Sequence, residues 1–295
     1  MECQCKRQRE SAERHGTDPR EIYLTVVTLL RFMSNCYIKH FKDGTVQARV
    51  TSFELTEQST KSGAFTKAIR TKNKPENETD DINAAVEKER RSVAASTRRT
   101  RKTIFDLARN NAFSFFTTYT FDPCKVNSFD YDAVSKKMSN YLCGLHRRNP
   151  DCRYIIVPEL HKSGRYHFHG LVGDADMRLS YSGHEHHGQP VYNIGDFTLG
   201  YSTCSEIRQS ALCASYLCKY VTKDLCSVSK GRKRYWCSHN LERPTVERRT
   251  ITSIEQLFSV FGTPDYEKES VISKPDFQGT VRLYEFHGVG DKGEA

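Results

Sequence analysis

Two histidines separated by a single residue, His167 and His169, are the first candidates for chemistry in this sequence. They lie in the run 165–172, whose aromatic and β-branched residues follow a Ser-Gly pair, a pattern that predicts a β-strand. Because successive side chains of a strand point to opposite faces, the imidazoles project together, roughly 6–7 Å apart, and Phe168 points into a core. Paired imidazoles on a strand are suited to metal binding. The alternative is that they are unrelated polar positions on a half-exposed strand.

A second apolar run, 152–160, precedes the histidines and carries a carboxylate, Glu159, near its end. The intervening segment 161–164 predicts a three-residue hairpin loop with its glycine at the left-handed position. With that loop the strands pair symmetrically about Ser163, so Glu159 lies opposite His167 on the same face. A loop longer by one residue would turn Glu159 to the other face. The hairpin therefore predicts a cluster of one carboxylate and two imidazoles, unless Glu159 is only a salt-bridge partner.

Two tyrosines, Tyr216 and Tyr220, form the second candidate group. The segment 206–225 has small and apolar residues at helical spacing, which predicts one continuous helix. Tyr216, Tyr220 and Lys223 recur at i, i+4 and i+7, so they lie together on roughly the face opposite the apolar stripe. A phenol can act as a nucleophile, although it is weak at its usual pKa of ~10. The alternative is that the tyrosines cover a second hydrophobic surface.

The formal net charge of +9 favours a polyanionic partner. Basic residues concentrate on a helix predicted at 81–110 and in a segment after residue 229, where they adjoin Tyr235 and Trp236. A nucleic-acid strand offers phosphates to such cations and bases on which aromatic rings can stack. A solvated helix face and structural packing of Trp236 are the alternatives. The residues predicted to bind nucleic acid, which is DNA if the family resemblance described below holds, are Arg98, Arg99, Arg101, Lys102, Lys219, Arg232, Lys233 and Arg234.

The cysteine content and the hydropathy of the sequence bear on its cellular location and on membrane association. The sequence has 11 cysteines, an odd number without framework spacing, which indicates reduced thiols and a cytoplasmic location. The longest apolar run, 22–30, is too short to cross a bilayer, so no membrane association is expected. Three histidines at 184, 186 and 187 lie in the segment 174–192, which is predicted to be a polar loop. Such a loop lacks the preorganisation that a catalytic ion needs.

The combination resembles the HUH superfamily of rolling-circle replication initiators, most of all the phage and plasmid type with two tyrosines. The triplet 167–169 is similar to the family's metal-binding motif, whose middle residue is hydrophobic. The segment 216–223 is similar to the two-tyrosine motif of microvirus and filamentous-phage replication proteins. The segment 116–121 is similar to the family's first, structural motif. The resemblance covers about residues 100–240.

The resemblance implies an enzyme that nicks and rejoins single DNA strands. A divalent ion, Mg²⁺ or Mn²⁺, held by Glu159, His167 and His169 would polarise the scissile phosphate. A tyrosine would attack that phosphate, leaving a 5′-phosphotyrosine and a free 3′-OH. The implied partners are single-stranded or hairpin origin DNA and, because the sequence shows no helicase-like region, a host helicase and polymerase.

The order of the two tyrosines also follows from the resemblance. Tyr220 is expected to make the first cut, because the Tyr-x-x-Lys pattern that it forms with Lys223 also occurs in single-tyrosine relatives. Lys223 would favour the phenolate or orient the phosphate. Tyr216 is either the second nucleophile or a packing residue.

The implied fold is α+β, with a central antiparallel sheet of about five strands and flanking helices, as in HUH endonucleases and RRM-like domains. A strand near 197–203 is expected to close this sheet. Four regions are predicted: an N-terminal accessory β-rich region and linker (1–80), a basic helix (81–110), an HUH endonuclease domain (111–228) and a basic C-terminal extension (229–295). The accessory region should contain a hairpin turning at Asp43-Gly44.

Three other functions fit parts of the same pattern. A two-tyrosine transposase or plasmid relaxase would share the motifs and the chemistry. A non-catalytic RRM-like nucleic-acid-binding protein would use the same histidines and tyrosines for packing. A metal-storage or regulatory protein would use the histidine-rich segment instead.

Overall fold

The computed structural model describes residues 33–56, 78–208, 210–274 and 277–288. The chain divides into two units. One combines the described N-terminal segment with the chain from Thr245 onward, and the other extends from the first described helix to Pro244. Residues 1–32 and 57–77, which include most of the predicted linker, lie outside the described residues.

The strands and helices are labelled in chain order. The strands are β1 (Met33–His40), β2 (Val46–Thr56), β3 (Phe115–Phe121), β4 (Arg153–Leu160), β5 (Tyr166–Gly173), β6 (Leu179–His186), β7 (Gln189–Ile194), β8 (Gly200–Glu206), β9 (Trp236–Cys237), β10 (Thr245–Arg249), β11 (Tyr266–Lys274) and β12 (Phe277–Phe286). The helices are α1 (Glu78–Asn110), α2 (Tyr131–Arg148), α3 (Ser210–Lys219), α4 (Lys223–Val228) and α5 (Glu255–Phe261).

The second unit is built on an antiparallel sheet with the strand order β6-β7-β8-β3-β5-β4-β9. Strand β3 pairs with β5 on one side and β8 on the other, so it has the central position that its composition predicted. The predicted α+β fold, with an antiparallel sheet and flanking helices, is confirmed. The described part of this sheet has seven strands, where about five were expected from the resemblance to known domains.

Helices cover both faces of this sheet, and the alternation of strand side chains explains why. Helix α2 buries Met138 and Leu142 against Phe168 of β5. On the opposite face, α1 and α3 bury Ile104 and Leu217 with apolar residues of β4 and β5. The sheet therefore lies between two hydrophobic layers. The layer formed with α1 and α3 ends at His169, where the candidate site begins.

The β4–β5 hairpin has the predicted geometry. Glu159 pairs with His167, and Leu160 pairs with Tyr166. The loop is closed by hydrogen bonds between His161 and residues 164 and 165, and Gly164 has the left-handed φ of 83°. The predicted hairpin register is therefore confirmed. Both histidines and Glu159 belong to one face of the sheet, and the intervening Phe168 is fully buried on the other.

The segment 174–192 is not a polar loop, so that prediction is wrong. Strands β6 and β7 pair as an antiparallel hairpin in which His186 lies opposite Gln189. The two residues between them, His187 and Gly188, have φ values of 51° and 68°, which is the type I′ combination. His-Gly is a weaker turn signal than Asn-Gly, and the exposed strands lack a hydrophobic pattern. Because this hairpin extends the sheet beyond β8, β8 is an internal strand and does not close it.

The predicted continuous helix over 206–225 is also wrong. Glu206 ends β8, helix α3 begins at Ser210 and ends at Lys219, and α4 begins at Lys223. The Thr222 side chain accepts a hydrogen bond from the backbone N–H of Leu225, so it caps a new helix. A capping threonine inside an otherwise helical pattern offers the backbone an alternative to continuing the first helix.

The first unit has its own antiparallel sheet, in the order β10-β1-β2-β12-β11. The predicted hairpin at Asp43-Gly44 is confirmed, with Gly44 at φ 76°. Helix α5 packs Phe258 and Leu257 on this sheet beside Tyr284. Strands from the N-terminal region and from the C-terminal extension thus share one sheet, whereas the sequence had placed them in separate regions. No described helix is both long and apolar enough to cross a membrane.

The close approach of the paired strands β4 and β5 can be tested at Gly170, which lies between His169 and Leu171. An added Cβ would lie 2.2 Å from Ile156 Cδ1 and 2.8 Å from the Ile155 carbonyl oxygen. We therefore expect Gly170→Ala to lower the free energy of unfolding by about 1–3 kcal/mol, as overpacking does. Urea denaturation followed by circular dichroism measures this change.

The matched control is Gly144→Ala in α2. There the nearest atom to a new Cβ is Arg148 Nη1, at 3.4 Å, which can move. Alanine also favours the helix, so the free energy of unfolding should rise by up to about 1 kcal/mol. Equal stability of Gly170→Ala and the unmodified protein would contradict the packing described for β4 and β5.

Candidate functional site

The candidate site is a cluster on the open part of the sheet face that carries α3. His169 Nε2 lies 2.8 Å from Glu159 Oε2. His169 is buried, with 8% of its surface exposed, whereas His167 and Glu159 are half-buried. The sheet thus brings together the three predicted metal ligands.

Strand β3 holds both imidazoles through threonine hydroxyls. Thr118 Oγ1 lies 3.1 Å from His169 Nδ1, and Thr120 Oγ1 lies 3.0 Å from His167 Nδ1. The pairing of β3 with β5 places each threonine directly beside its histidine. Because a hydroxyl can donate or accept, each contact can persist in either tautomer of the ring, and Nε2 faces away from β3.

Sequence reasoning did not assign these threonines to the site. The signal was present in the alternation of 116–121, where Thr118 and Thr120 share one face of the strand. His161 was also missed. It lies at the start of the hairpin loop, and its ring centre is 5.4 Å from that of His167.

Both imidazoles are biased toward the neutral form. Burial lowers the pKa of His169, and Glu159 opposes this shift through a hydrogen bond and its charge. Burial and the nearby His161 lower the pKa of His167. Neutral imidazole is the form that binds a metal ion, so the site favours the state in which a lone pair is available.

Tyr220 lies directly on the cluster. Its ring stacks on His169 with 3.7 Å between ring centres and 11° between planes. The Tyr216 ring meets Tyr220 edge-on at 5.5 Å and also contacts Phe116 at 5.4 Å. Tyr216 is 45% exposed. The two phenols are therefore adjacent, as predicted, and of these two Tyr220 is the one that stacks on a candidate metal ligand.

The environment of Tyr220 keeps its phenol protonated. Burial, a hydrogen bond with Tyr216 and the Glu159 carboxylate all raise the pKa of Tyr220. A phenolate at this position would need a compensating positive charge. Lys223 is exposed at the first position of α4, beyond the break between the helices, so the predicted i+3 relation to Tyr220 on one helix does not hold.

The break that carries Tyr220 is anchored to α1. Arg101 Nε donates a 2.8 Å hydrogen bond to the carbonyl oxygen of Val221, and Cys218 Sγ lies 3.4 Å from the Arg101 carbonyl oxygen. Arg101 was predicted to contact DNA. Its guanidinium also binds the backbone of the residue that follows Tyr220.

The other predicted DNA-binding residues are dispersed. Arg98, Arg99 and Lys102 are exposed on α1. Lys219 Nζ lies 5.0 Å from the centre of the Tyr216 ring, so it is the member of this set that contacts a candidate nucleophile. The remaining three follow α4, and each has a protein contact there.

Those three contacts give the basic segment after α4 a structural task. Arg232 forms an ion pair with Asp132 at 2.8 Å, and Lys233 Nζ lies 5.6 Å from the Trp236 ring centre. Arg234 bonds to Ser96 of α1 and also contacts Ser229 and the Cys226 carbonyl oxygen at 3.3 Å each. The Arg234 guanidinium therefore ties α1 to the chain around α4.

Across residues 33–56, 78–208, 210–274 and 277–288, no three His, Cys, Asp or Glu side chains are already arranged to hold a metal ion. At the candidate site, the Glu159 carboxylate is instead hydrogen-bonded to His169. The histidine-rich hairpin β6–β7 does not provide such a group either.

Comparison with known proteins bears on the second unit. Residues 114–225 match the sequence model of a family described as Replication-associated protein ORF2. This segment contains Glu159, both site histidines and both tyrosines. No curated protein and no solved structure shows significant similarity to the chain. The match supports a rolling-circle replication initiator family, and with it a role in DNA replication that involves DNA binding.

The direction of the His169 pKa shift can be measured. Because burial disfavours the imidazolium, we expect the ring to titrate below its ordinary 6.5 in an NMR titration without added metal. The folded state then binds fewer protons than the unfolded state, so this residue's contribution to stability is lost as the pH falls from about 6.5.

Glu159→Gln provides the control for this titration. It keeps a side chain of similar size but removes the charge that raises the His169 pKa, so the midpoint should fall further. A midpoint above 6.5 in the unmodified protein would mean that the pairing with Glu159 outweighs burial, contrary to our assignment of the neutral ring.

Proposed function

We propose that this protein initiates rolling-circle replication by cutting and rejoining a single DNA strand through a tyrosine, with a divalent metal ion at Glu159, His167 and His169. The observation that carries the proposal is the stacking of Tyr220 on His169, with Glu159 hydrogen-bonded to the same ring. A candidate nucleophile thus contacts a candidate imidazole ligand, which in turn contacts a candidate carboxylate ligand.

The donor set fits Mn²⁺ or Mg²⁺. Two neutral imidazoles and a carboxylate are a mixed nitrogen and oxygen set that leaves coordination positions open. Thr118 and Thr120 hold Nδ1 of each ring, as outer partners of metal-binding histidines commonly do. Binding would require Glu159 to exchange its hydrogen bond with His169 for the ion. The ion would supply the positive charge that polarises a phosphate and favours the phenolate.

The residues of the chain account for the rest of the chemistry. Tyr220 Oη would attack the scissile phosphorus and release its proton, the P–O3′ bond would break, and the leaving oxygen would become a free 3′-OH. Attack by a 3′-OH on the phosphotyrosine reverses these steps and restores Tyr220. One phosphodiester is exchanged for another, so rejoining the DNA strand needs no nucleoside triphosphate.

Tyr216 fits a second cutting event. Its ring adjoins Tyr220, and it is more exposed, so its hydroxyl can reach a new DNA segment while Tyr220 holds the first 5′ end. Lys219, over the Tyr216 ring, offers a cation for the neighbouring phosphate. In the cell, a host helicase and polymerase would provide unwinding and synthesis, and the cytoplasm is the proposed location.

Two readings of the same site compete with replication. A transposase or relaxase would perform the same strand cleavage, but the family match to replication proteins favours initiation. A non-catalytic binding protein would need Tyr220 and His169 only as packing partners. Cleavage assays separate the binding protein from the enzymes, and strand transfer between two unrelated DNAs would indicate transposition.

The first test concerns the metal. A pool of labelled single-stranded oligonucleotides of random sequence is incubated with Mn²⁺ or a chelator, and covalent adducts are resolved on denaturing gels. We expect adducts only with Mn²⁺. His167→Ala or His169→Ala should lower adduct formation at least about 100-fold, because loss of several kcal/mol of charge stabilisation corresponds to powers of ten. DNA binding should remain. The control His184→Ala should behave as the unmodified protein, and adducts in the chelator would refute the metal assignment.

The second test concerns the nucleophile. Tyr220→Phe removes the hydroxyl and preserves the ring that stacks on His169, so it should abolish the first adduct without unfolding the site. Tyr216→Phe should still form that adduct. If Tyr216→Phe loses the adduct and Tyr220→Phe retains it, the proposed order is wrong. If the double variant still forms an adduct, the tyrosine mechanism is wrong.

A further inference from the structure

A cavity of about 770 Å³ opens beside the two tyrosines. Its floor is formed by β3 and β8, one wall by α3, and the other wall by the β6–β7 hairpin. The volume is within the usual range of small-molecule sites, about 300–1,000 Å³. His169, Tyr216 and Tyr220 are among its lining residues, so it is continuous with the candidate site.

The hairpin wall contributes side chains that the proposed chemistry does not use. His186 and Gln189 are paired across the turn and both line the cavity, as does Val191. His184 is paired with Val191, so it belongs to the same face of the hairpin, but it is not part of the cavity lining. Residues 186 and 189 therefore line a space that the two tyrosines also line.

We propose that this cavity binds an unpaired nucleobase next to the scissile phosphate, with His186 and Gln189 contacting the edge of the base. The proposal rests on the proposed strand-cutting function and adds a site for the DNA substrate. The hairpin β6–β7 would thereby help to position, and to select, the nucleotide at the cut.

The lining suits a flat, polar-edged ring. Phe116, Tyr216 and Leu212 provide aromatic and apolar surface, against which the face of a base can lie. A glutamine amide both donates and accepts hydrogen bonds, and so does a neutral imidazole, so both can pair with base edges. Single-stranded nucleic acid is the class of ligand that presents such edges unpaired, beside a phosphate.

The position of the cavity fixes which nucleotide it would take. Tyr220 lines the cavity and also stacks on His169, so a phosphate within reach of the phenol has its neighbouring nucleoside within reach of the cavity. Arg208 lines the cavity too and is exposed, so it offers a cation to a phosphate that adjoins the bound base. Glu206 is an acid in the same lining. The site therefore does not attract phosphate uniformly, which favours a base in its interior.

The test separates base contacts from phosphate contacts. Dissociation constants are measured by fluorescence anisotropy, in chelator, for oligothymidylate, oligoadenylate and a tetrahydrofuran oligomer of equal length. The last has every phosphate and sugar ring but no bases. We expect the protein to prefer at least one base-bearing strand. The double variant His186→Ala/Gln189→Ala should reduce that preference roughly fivefold or more, as loss of hydrogen bonds to a base edge does. Its affinity for the abasic strand should stay unchanged.

His184→Ala is the matched control, because it removes the same type of side chain from the same face of the hairpin, outside the cavity. It should leave the preference intact. An unchanged preference in the double variant, or an equal loss in His184→Ala, overturns the proposal. If DNA is cut with Mn²⁺ but the double variant keeps its preference for base-bearing strands, the cavity assignment alone fails. If the preference changes but no covalent adduct forms, the nuclease proposal alone fails.

Discussion

The register of the β4–β5 hairpin is the constraint on which the site depends. A three-residue loop, closed by Gly164 in the left-handed conformation, pairs Glu159 with His167. A shift by one residue would move Glu159 to the opposite face, among the side chains that pack on α2. The carboxylate would then be buried in a hydrophobic layer, at a large cost in free energy. The hydrophobic pattern of the hairpin therefore favours the same register that places Glu159 beside the two histidines.

Strand β3 orients the two imidazole rings that this register places on one face. Its central position is stabilised by pairing on both sides, and its alternate threonines reach the two histidines of β5. The same strand buries Tyr119 on the other face. A strand that is fixed in the core thus orients polar groups at the surface, so ring orientation does not depend on mobile loops. Preorganisation of this kind is what a metal site needs from its surroundings.

The parts of the structure that could be predicted from sequence are those set by short-range rules. The β4–β5 hairpin followed from loop length and alternation, and β3 from its aromatic and β-branched residues. The break at Thr222 was missed because a capping residue looks like any other polar position in a helical pattern. The β6–β7 hairpin was missed because its strands are polar and its turn is His-Gly. The shared sheet of β2 and β12 depends on pairing between distant residues, about which local patterns carry no information.

The missed helix break has a consequence for the two tyrosines. On one continuous helix they would be equivalent neighbours, one turn apart. Because α3 ends at Lys219, Tyr220 lies in a tight turn whose backbone is held by Arg101 at the next residue, whereas Tyr216 remains on the helix and is exposed. Tyr220 thus stacks on His169, whereas Tyr216, which contacts Tyr220 and Phe116, is partly exposed to solvent. This asymmetry favours the different tasks that we propose for the two residues: the positioned phenol would act at the proposed metal site, and the exposed phenol would receive a later DNA segment.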